Sequence, residues 1–344
     1  MGSFSAYSYE PVHGVFVADV DNGNAIYSYN ADKQTQPASL TKMMTLLLTF
    51  RELQKGTIKW DTMIKVSRHA ADQSPTKLGL KAGASISVRN AVLSLITKSA
   101  NDMAVALAEY LGGTEANFVK KMNEEAKRLG MMSTLFVNPS GWKNTKQRTT
   151  ARDMFKLSKA LLKEYPKYYS LFSTKIFNYE KQHLANHNNL LGRHVMGTPN
   201  GTGYFVVDGI KTGYVAASGF NLAASATNGK IRLIAVVLGG KTARQRDAQM
   251  NLLLQKGFLR AEAKLKKGQQ KIVAVDDSNT AYLEHIGANA FDNNLSQLPS
   301  IKIQKAKNKN TKSHLILATK KNVKLQKKLL NRLNKNHSKK HKRK

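Results

Sequence analysis

Ser39 and Lys42 stand three residues apart in Pro37-Ala38-Ser39-Leu40-Thr41-Lys42, directly ahead of the apolar run 43–50. On a helix that spacing puts hydroxyl and amine on one face, as a nucleophile and its base require. Proline is tolerated in a first helical turn and serine caps one, so the pair predicts a helix start. The run behind it, Met-Met-Thr-Leu-Leu-Leu-Thr-Phe, is too apolar for a surface helix and predicts burial. Helix amides and the positive end of the dipole then lie where an oxyanion would form. A capped core helix without chemistry has the same local pattern, so the case depends on what else the chain carries.

A second Ser-x-x-Lys, Ser74-Pro75-Thr76-Lys77, serves as a control. It lies between Gln73 and Leu78-Gly79 with no apolar helix behind it, and predicts a loop. Two other motifs follow the first in order. Ser99-Ala100-Asn101 sits at a break between two helical patterns, where a serine and an amide can relay a proton and hold a carbonyl. Lys211-Thr212-Gly213 opens a strand-rich section; lysine and threonine suit a carboxylate, and the glycine lets a substrate backbone approach. Each has a plain structural alternative: Ser99 a cap, Asn101 a turn residue, Lys211 a solvated charge. Their joint, ordered occurrence is far more specific. If Lys42 is enclosed behind its helix, burial depresses its pKa, and a facing second cation such as Lys211 would depress it further.

The elements that must position these residues follow from patterning. Residues 12–20 and 25–29 read as strands around the turn Asp21-Asn22-Gly23-Asn24. A buried helix is expected over 39–54, ended by Gly56, and a short strand over 63–66. Amphipathic helices follow at 87–98, 103–111, 114–129 and 150–164, with Asn138-Pro139-Ser140-Gly141 as a turn. Residues 171–203 mix short strands with a loop at 192–203; strands at 205–210, 219–227 and 231–238 precede a helix at 242–259. Strands at front and back with helices between predict an α+β fold: one antiparallel sheet joining the two ends, with an inserted helical cluster.

With 344 residues the chain can bury a full core, and its +33 formal charge is unevenly spread. Residues 301–344 contain seventeen Lys or Arg and no Asp or Glu. Such a block favours a polyanion, whether nucleic acid, anionic lipid or acidic envelope polymer. Within it Leu325, Leu329 and Leu333 recur among lysines, which fits either a basic helix on an anionic membrane or a disordered basic tail. It lacks the aromatic-basic interleaving that stacks bases, so no nucleic acid is expected. There is no cysteine, hence neither disulfide nor thiolate metal site, and no apolar run reaches the ~20 residues of a membrane span. The first residues lack the pattern of an export signal, which reads as cytoplasmic unless a signal was trimmed.

At this point the sequence resembles the serine-type D-alanyl-D-alanine carboxypeptidases, the low-molecular-mass penicillin-binding proteins. The likeness runs over residues 9–257 and includes, beyond the three motifs, Asp102, Thr150-Ala151-Arg152-Asp153-Met154, Asn186-His187-Asn188-Asn189-Leu190-Leu191 and Val207-Asp208-Gly209-Ile210. It implies the beta-lactamase/transpeptidase-like fold and an enzyme that removes the terminal D-alanine from peptidoglycan stem peptides through a serine acyl-enzyme. Ser39 is then the nucleophile, Lys42 its base, Ser99 a proton relay and Asn101 a ligand of the substrate amide. Lys211 and Thr212, with Gly213 beside them, would meet the terminal carboxylate. The backbone amides of Ser39 and Tyr214 would form the oxyanion hole. Neither metal nor organic cofactor is implied; beta-lactams would acylate the same serine. An envelope location is implied, periplasmic or peripheral on the inner membrane, with the tail on a membrane or cell-wall surface.

The expected organisation is a catalytic domain at 1–262, a short extension at 263–300 and a basic tail at 301–344. His187 stands where some relatives have arginine; as a carboxylate ligand that acts only when protonated, it predicts affinity that weakens between about pH 5 and 8. Rival readings are a murein endopeptidase of the same fold, a class A beta-lactamase and a non-enzymatic envelope binder. The beta-lactamase needs a glutamate for its deacylating water, and no Glu-x-x-Leu-Asn lies between Asn101 and Lys211.

Overall fold

The computed structural model describes residues 12–142, 144–196 and 204–273; the basic tail and the stretch before it lie outside them. Strands β1 (Gly14–Asp19) and β2 (Ala25–Tyr29) form the leading hairpin. A 3-10 turn (Ala38–Thr41) then leads into helix α1 (Lys42–Lys55), which Gly56 ends in the left-handed conformation at φ 76°. Strand β3 (Met63–Lys65), the short helix α2 (Arg68–Ala71) and strand β4 (Ser85–Ser87) follow. Helices α3 (Val88–Ile96), α4 (Asn101–Gly112), α5 (Glu115–Arg128) and α6 (Ala151–Glu164) complete the inserted cluster. The short helix α7 (Pro166–Tyr169) precedes the hairpin β5 (Ile176–Tyr179) and β6 (Gln182–Ala185). Then come β7 (His194–Met196), β8 (Tyr204–Val215), β9 (Gly219–Thr227), β10 (Arg232–Gly240) and helix α8 (Ala243–Val273).

The main sheet has the order β2-β1-β10-β9-β8-β7 and every pairing in it is antiparallel. Front and back of the chain therefore meet in one sheet, as the patterning predicts. Because strand side chains alternate, the two faces build two cores. Phe16, Ala18, Ile210, Ile234 and Val236 face the helical cluster, whose α1 contributes Met43, Met44, Leu46, Leu47 and Phe50. Val15, Val17, Leu222, Leu233 and Val237 face α8 through Met250, Leu254 and Phe258. Each large apolar side chain so enclosed contributes about 2 kcal/mol.

The helices begin at the caps their sequences announce. Ser87, Thr114 and Thr150 each accept a bond from the amide three residues on. Ser39 differs: the turn it occupies has no side-chain cap, and α1 starts at Lys42, because the Ser39 hydroxyl faces the lysine amine instead. Strand β4 and strand β7, the latter inside the expected loop 192–203, are too short to register in the patterning. Helix α8 runs past the expected end at 259, and residue 262, the expected end of the catalytic domain, lies inside it. Strong helix formers from Arg260 through Lys267 carry it on.

Candidate active site

Lys42 starts α1 and is fully buried. Its Nζ lies 2.9 Å from Ser39 Oγ, and it donates to Asn101 Oδ1 at 2.7 Å and to the Ser140 carbonyl at 2.7 Å. Burial first, then the positive charge of Lys211, hold this amine well below its ordinary range, while Asp102 pulls more weakly the other way. A neutral amine has two N–H groups and one lone pair. With Asn101 and Ser140 taking the hydrogens, the lone pair is left for the proton of Ser39.

Ser99 and Asn101 enter through the break between α3 and α4. Ser99 has φ 61°, a left-handed conformation that costs a non-glycine residue about 1 kcal/mol or more. The bend brings Asn101 to the first position of α4, beneath Lys42. Ser99 Oγ is buried and has no hydrogen-bond partner among the described residues. Asp102 anchors the arrangement, its carboxylate accepting from the backbone amides of Leu78, Gly79 and Met103 at 2.8–3.0 Å.

Strand β8 brings the third motif to the same place. A Cβ on Gly213 would lie 3.0 Å from the Ser39 amide nitrogen, so the strand passes directly beside the 3-10 turn. Lys211 is buried and donates to the Thr212 carbonyl at 3.0 Å. Burial, then Arg246, push its amine down to about 7. Tyr214 exposes its ring and packs it against Phe220, centroids 4.3 Å apart. A cleft of about 320 Å³ is lined by Ser39, Ser99, Asn101, His187, Thr212, Gly213 and Tyr214, so the segments expected to carry the chemistry share one cavity.

His187 lines this cleft, but its expected charge is corrected. Burial, followed by Lys211, Lys98, Lys42 and Arg246, pushes the imidazole down to about 4. The ring is therefore neutral across the range in which the sequence-based expectation has it titrate. A neutral imidazole can still donate one hydrogen bond.

Three contributors escape the motif reading. The control segment Ser74–Lys77 is no second nucleophile site, yet it walls the first. Asn101 Nδ2 donates to the Ser74 carbonyl at 2.8 Å, the Asn101 amide to Thr76 O at 2.7 Å, and Thr76 Oγ1 to Ser99 O at 3.0 Å. The turn Asn138-Pro139-Ser140-Gly141 is the second. Besides Ser140 on Lys42, the Pro139 carbonyl accepts from Thr45 Oγ1 at 2.7 Å. Gly141, at φ 79°, packs so closely on the Ala38 carbonyl that a Cβ would lie 1.8 Å from it. The third is Arg246, which lines the cleft from the first turn of α8. Its guanidinium is held by Asp247 at 2.7–2.9 Å and reaches the Asn221 carbonyl at 3.4 Å. Thr242, which accepts from the Gln245 amide at 3.1 Å, marks where this helix begins but not that it begins beside the site.

The sequence profile of the family described as D-alanyl-D-alanine carboxypeptidase matches residues 12–242. Among curated relatives, D-alanyl-D-alanine carboxypeptidase DacF of Bacillus subtilis is 35% identical over 279 residues, covering 75% of this chain and 68% of its own. DacC of Escherichia coli is 39% identical over 246 residues, covering 70% of this chain and 59% of its own. A D-alanyl-D-alanine endopeptidase of Escherichia coli is 31% identical over only 46% of this chain. Among solved structures, penicillin-binding protein D2 of Listeria monocytogenes in its cefotaxime-bound form superposes with a TM-score of 0.64. It is 32% identical, and the match covers 74% of this chain and 100% of that one. With its α+β fold of antiparallel sheet and helices, and with the carboxypeptidase profile matched across most of the described residues, the chain belongs to the D-alanyl-D-alanine carboxypeptidase family.

Proposed function

We propose that the chain is a serine D-alanyl-D-alanine carboxypeptidase that trims peptidoglycan stem peptides, with Ser39 as the acylated residue. The observation that carries this is the Lys42 amine 2.9 Å from Ser39 Oγ with its other two hydrogen-bonding positions taken. Lys42 removes the hydroxyl proton as Ser39 attacks the penultimate D-alanine carbonyl. The backbone amides of Ser39 and Tyr214 receive the oxyanion. The C–N bond breaks, the terminal D-alanine leaves as the amine with a proton returned through Ser99, and water then hydrolyses the ester. Thr212, Lys211 and Arg246, with neutral His187 beside them, receive the terminal carboxylate at the end of the cleft. Peptidoglycan as substrate implies an envelope location.

Exopeptidase action is favoured over cross-link cleavage because similarity to the carboxypeptidases is higher and extends over far more of the chain than similarity to the endopeptidase. Beta-lactams enter as slow-turnover inhibitors, since among the described residues that line the cleft none is a carboxylate able to activate a deacylating water. Intact mass after exposure to a fluorescent penicillin, with peptide mapping, tests the reading. A single adduct on Ser39, absent from Ser39→Ala, supports it. Release of D-alanine at the wild-type rate by Ser39→Ala overturns it.

A further inference from the structure

Past the catalytic cleft, at the turn joining β8 to β9, the surface sinks into a second groove of about 380 Å³. His13, Lys33, Gln36, Gln147, Arg148 and Ala217 are among its lining residues, and none of the described lining residues is a carboxylate. Lys33 and Arg148 are exposed and take part in no ion pair among the described residues. Among the described residues no carboxylate lies in the groove to neutralise them. Its walls are well tied. Thr35 and Thr149 exchange backbone bonds at 2.9 and 2.8 Å, Gln147 accepts from the Val137 amide at 3.2 Å, and His13 Nδ1 lies 3.2 Å from Thr35 Oγ1.

Strand β8 links the groove to the cleft: its Gly213 and Tyr214 line the cleft, and Ala217, in the turn that follows it, lines the groove. Strand β8 pairs with β9 on one edge, while β7 covers its other edge only from Tyr204 to Val206. The remaining edge, at Lys211 to Val215, is where an extended peptide can pair. A peptide with its carboxylate at Lys211 and Thr212 and its reacting carbonyl between Ser39 and Gly213 runs antiparallel to β8. Its upstream residues therefore point toward Val215 and the turn at Ala217. At about 3.3 Å per residue, Ala217 is reached two to four residues before the scissile bond. Gln36, in the chain just ahead of Ser39, forms the other bank; its carbonyl accepts from Asn221 Nδ2 at 3.4 Å.

We propose that this basic groove is a subsite for a carboxylate carried on the upstream part of the substrate, read by Lys33 and Arg148. The cleft itself handles the D-alanyl-D-alanine end, which is the same in every substrate. The groove makes the enzyme select peptides that are acidic on the acyl side. This rests on the carboxypeptidase reading and adds to it.

The test uses the full chain and three peptides ending in D-alanyl-D-alanine. One is short and neutral, one carries a free carboxylate two residues upstream of the D-alanyl-D-alanine pair, and one is its carboxamide. The wild type is expected to prefer carboxylate over carboxamide about tenfold in kcat/KM, a preference that falls as salt is raised. Lys33→Gln with Arg148→Gln is expected to bring that ratio to about one while turnover of the short peptide stays within about twofold. Equal rates on carboxylate and carboxamide in the wild type overturn the proposal, and so does an unchanged preference in the double variant. If the wild type releases D-alanine from none of the three and forms no penicillin adduct, the carboxypeptidase reading fails and the subsite falls with it. Release from the short peptide without discrimination between the other two removes the subsite alone.

Discussion

Gly213 and Ser39 are near neighbours: a Cβ on Gly213 would come 3.0 Å from the Ser39 amide nitrogen and 3.2 Å from that of Leu40. The third motif thus abuts the backbone amide that the mechanism assigns to the oxyanion. Gly213→Ala is expected to push strand and turn apart by a few tenths of an ångström. Because catalysis depends on sub-ångström placement, acylation by penicillin should slow by about 10- to 100-fold. Stability should fall by only about 1 kcal/mol, since the turn can shift. Stopped-flow acylation beside urea unfolding separates the two effects, and an unchanged acylation rate would remove Gly213 from the site.

The lysine pair predicts a bell-shaped pH profile of kcat/KM. Protonated Lys42 cannot accept the serine proton, so activity rises as pH rises through its lowered pKa. Lys211, pushed down to about 7, loses its charge above that value and with it the attraction for a carboxylate, so kcat/KM falls again. The two groups interact, so the limbs belong to the pair. In Lys211→Arg, whose guanidinium stays charged, the alkaline limb should move above about pH 9. An alkaline limb that stays in place would mean another group titrates there.

His187, held down at about 4, should contribute no pH dependence between about pH 5 and 8. NMR titration of its ring in the substrate-free protein should show the neutral form throughout that window. A midpoint near 6.5 would restore the charged ligand expected from sequence.

Gly141 has no room for a side chain. At φ 79° and with the Ala38 carbonyl where a Cβ would sit, Gly141→Ala must displace the turn carrying Ser39 or the Ser140 carbonyl that binds Lys42. A cost of about 3 kcal/mol is expected, together with at least ~100-fold slower acylation. Thermal unfolding with penicillin labelling checks both, and a variant with wild-type rates would show that the turn does not position the site.

Asp102 should behave as a structural anchor. Asp102→Asn keeps the shape but sets an amide N–H2 against the backbone amides of Leu78 or Gly79, which the carboxylate now accepts. The expected loss is about 2 kcal/mol, seen as a lower urea midpoint. Penicillin labelling should slow along with it, because the 74–79 segment supports Asn101. Unaltered stability would mean those amides find other partners.

Much of this was readable from local pattern. The apolar run after Ser39 marks a buried helix because burial follows from composition, and α1 is indeed enclosed from Lys42 to Phe50. The alternation in β1, β8, β9 and β10 sorts their side chains onto two faces, so an antiparallel sheet joining early strands to much later ones was legible. The three motifs named the residue types and their order. Sequence alone did not say that they share a cleft, because their juxtaposition comes from strand β8 packing on a 3-10 turn from much earlier in the chain.

What the amino-acid order determined by itself was the set of elements and the residues able to act, since periodicity and helix caps are local. Only the tertiary structure decided the electrostatics and the neighbours. Lys211 and Arg246 come near one another through folding, and desolvation has no local signature, so the lowered pKa of Lys211 and the neutrality of His187 could not be read from spacing. For the same reason Ser140 and Thr76 looked like ordinary turn and loop residues. Their carbonyls became ligands of Lys42 and Asn101 only when distant backbone was brought against them.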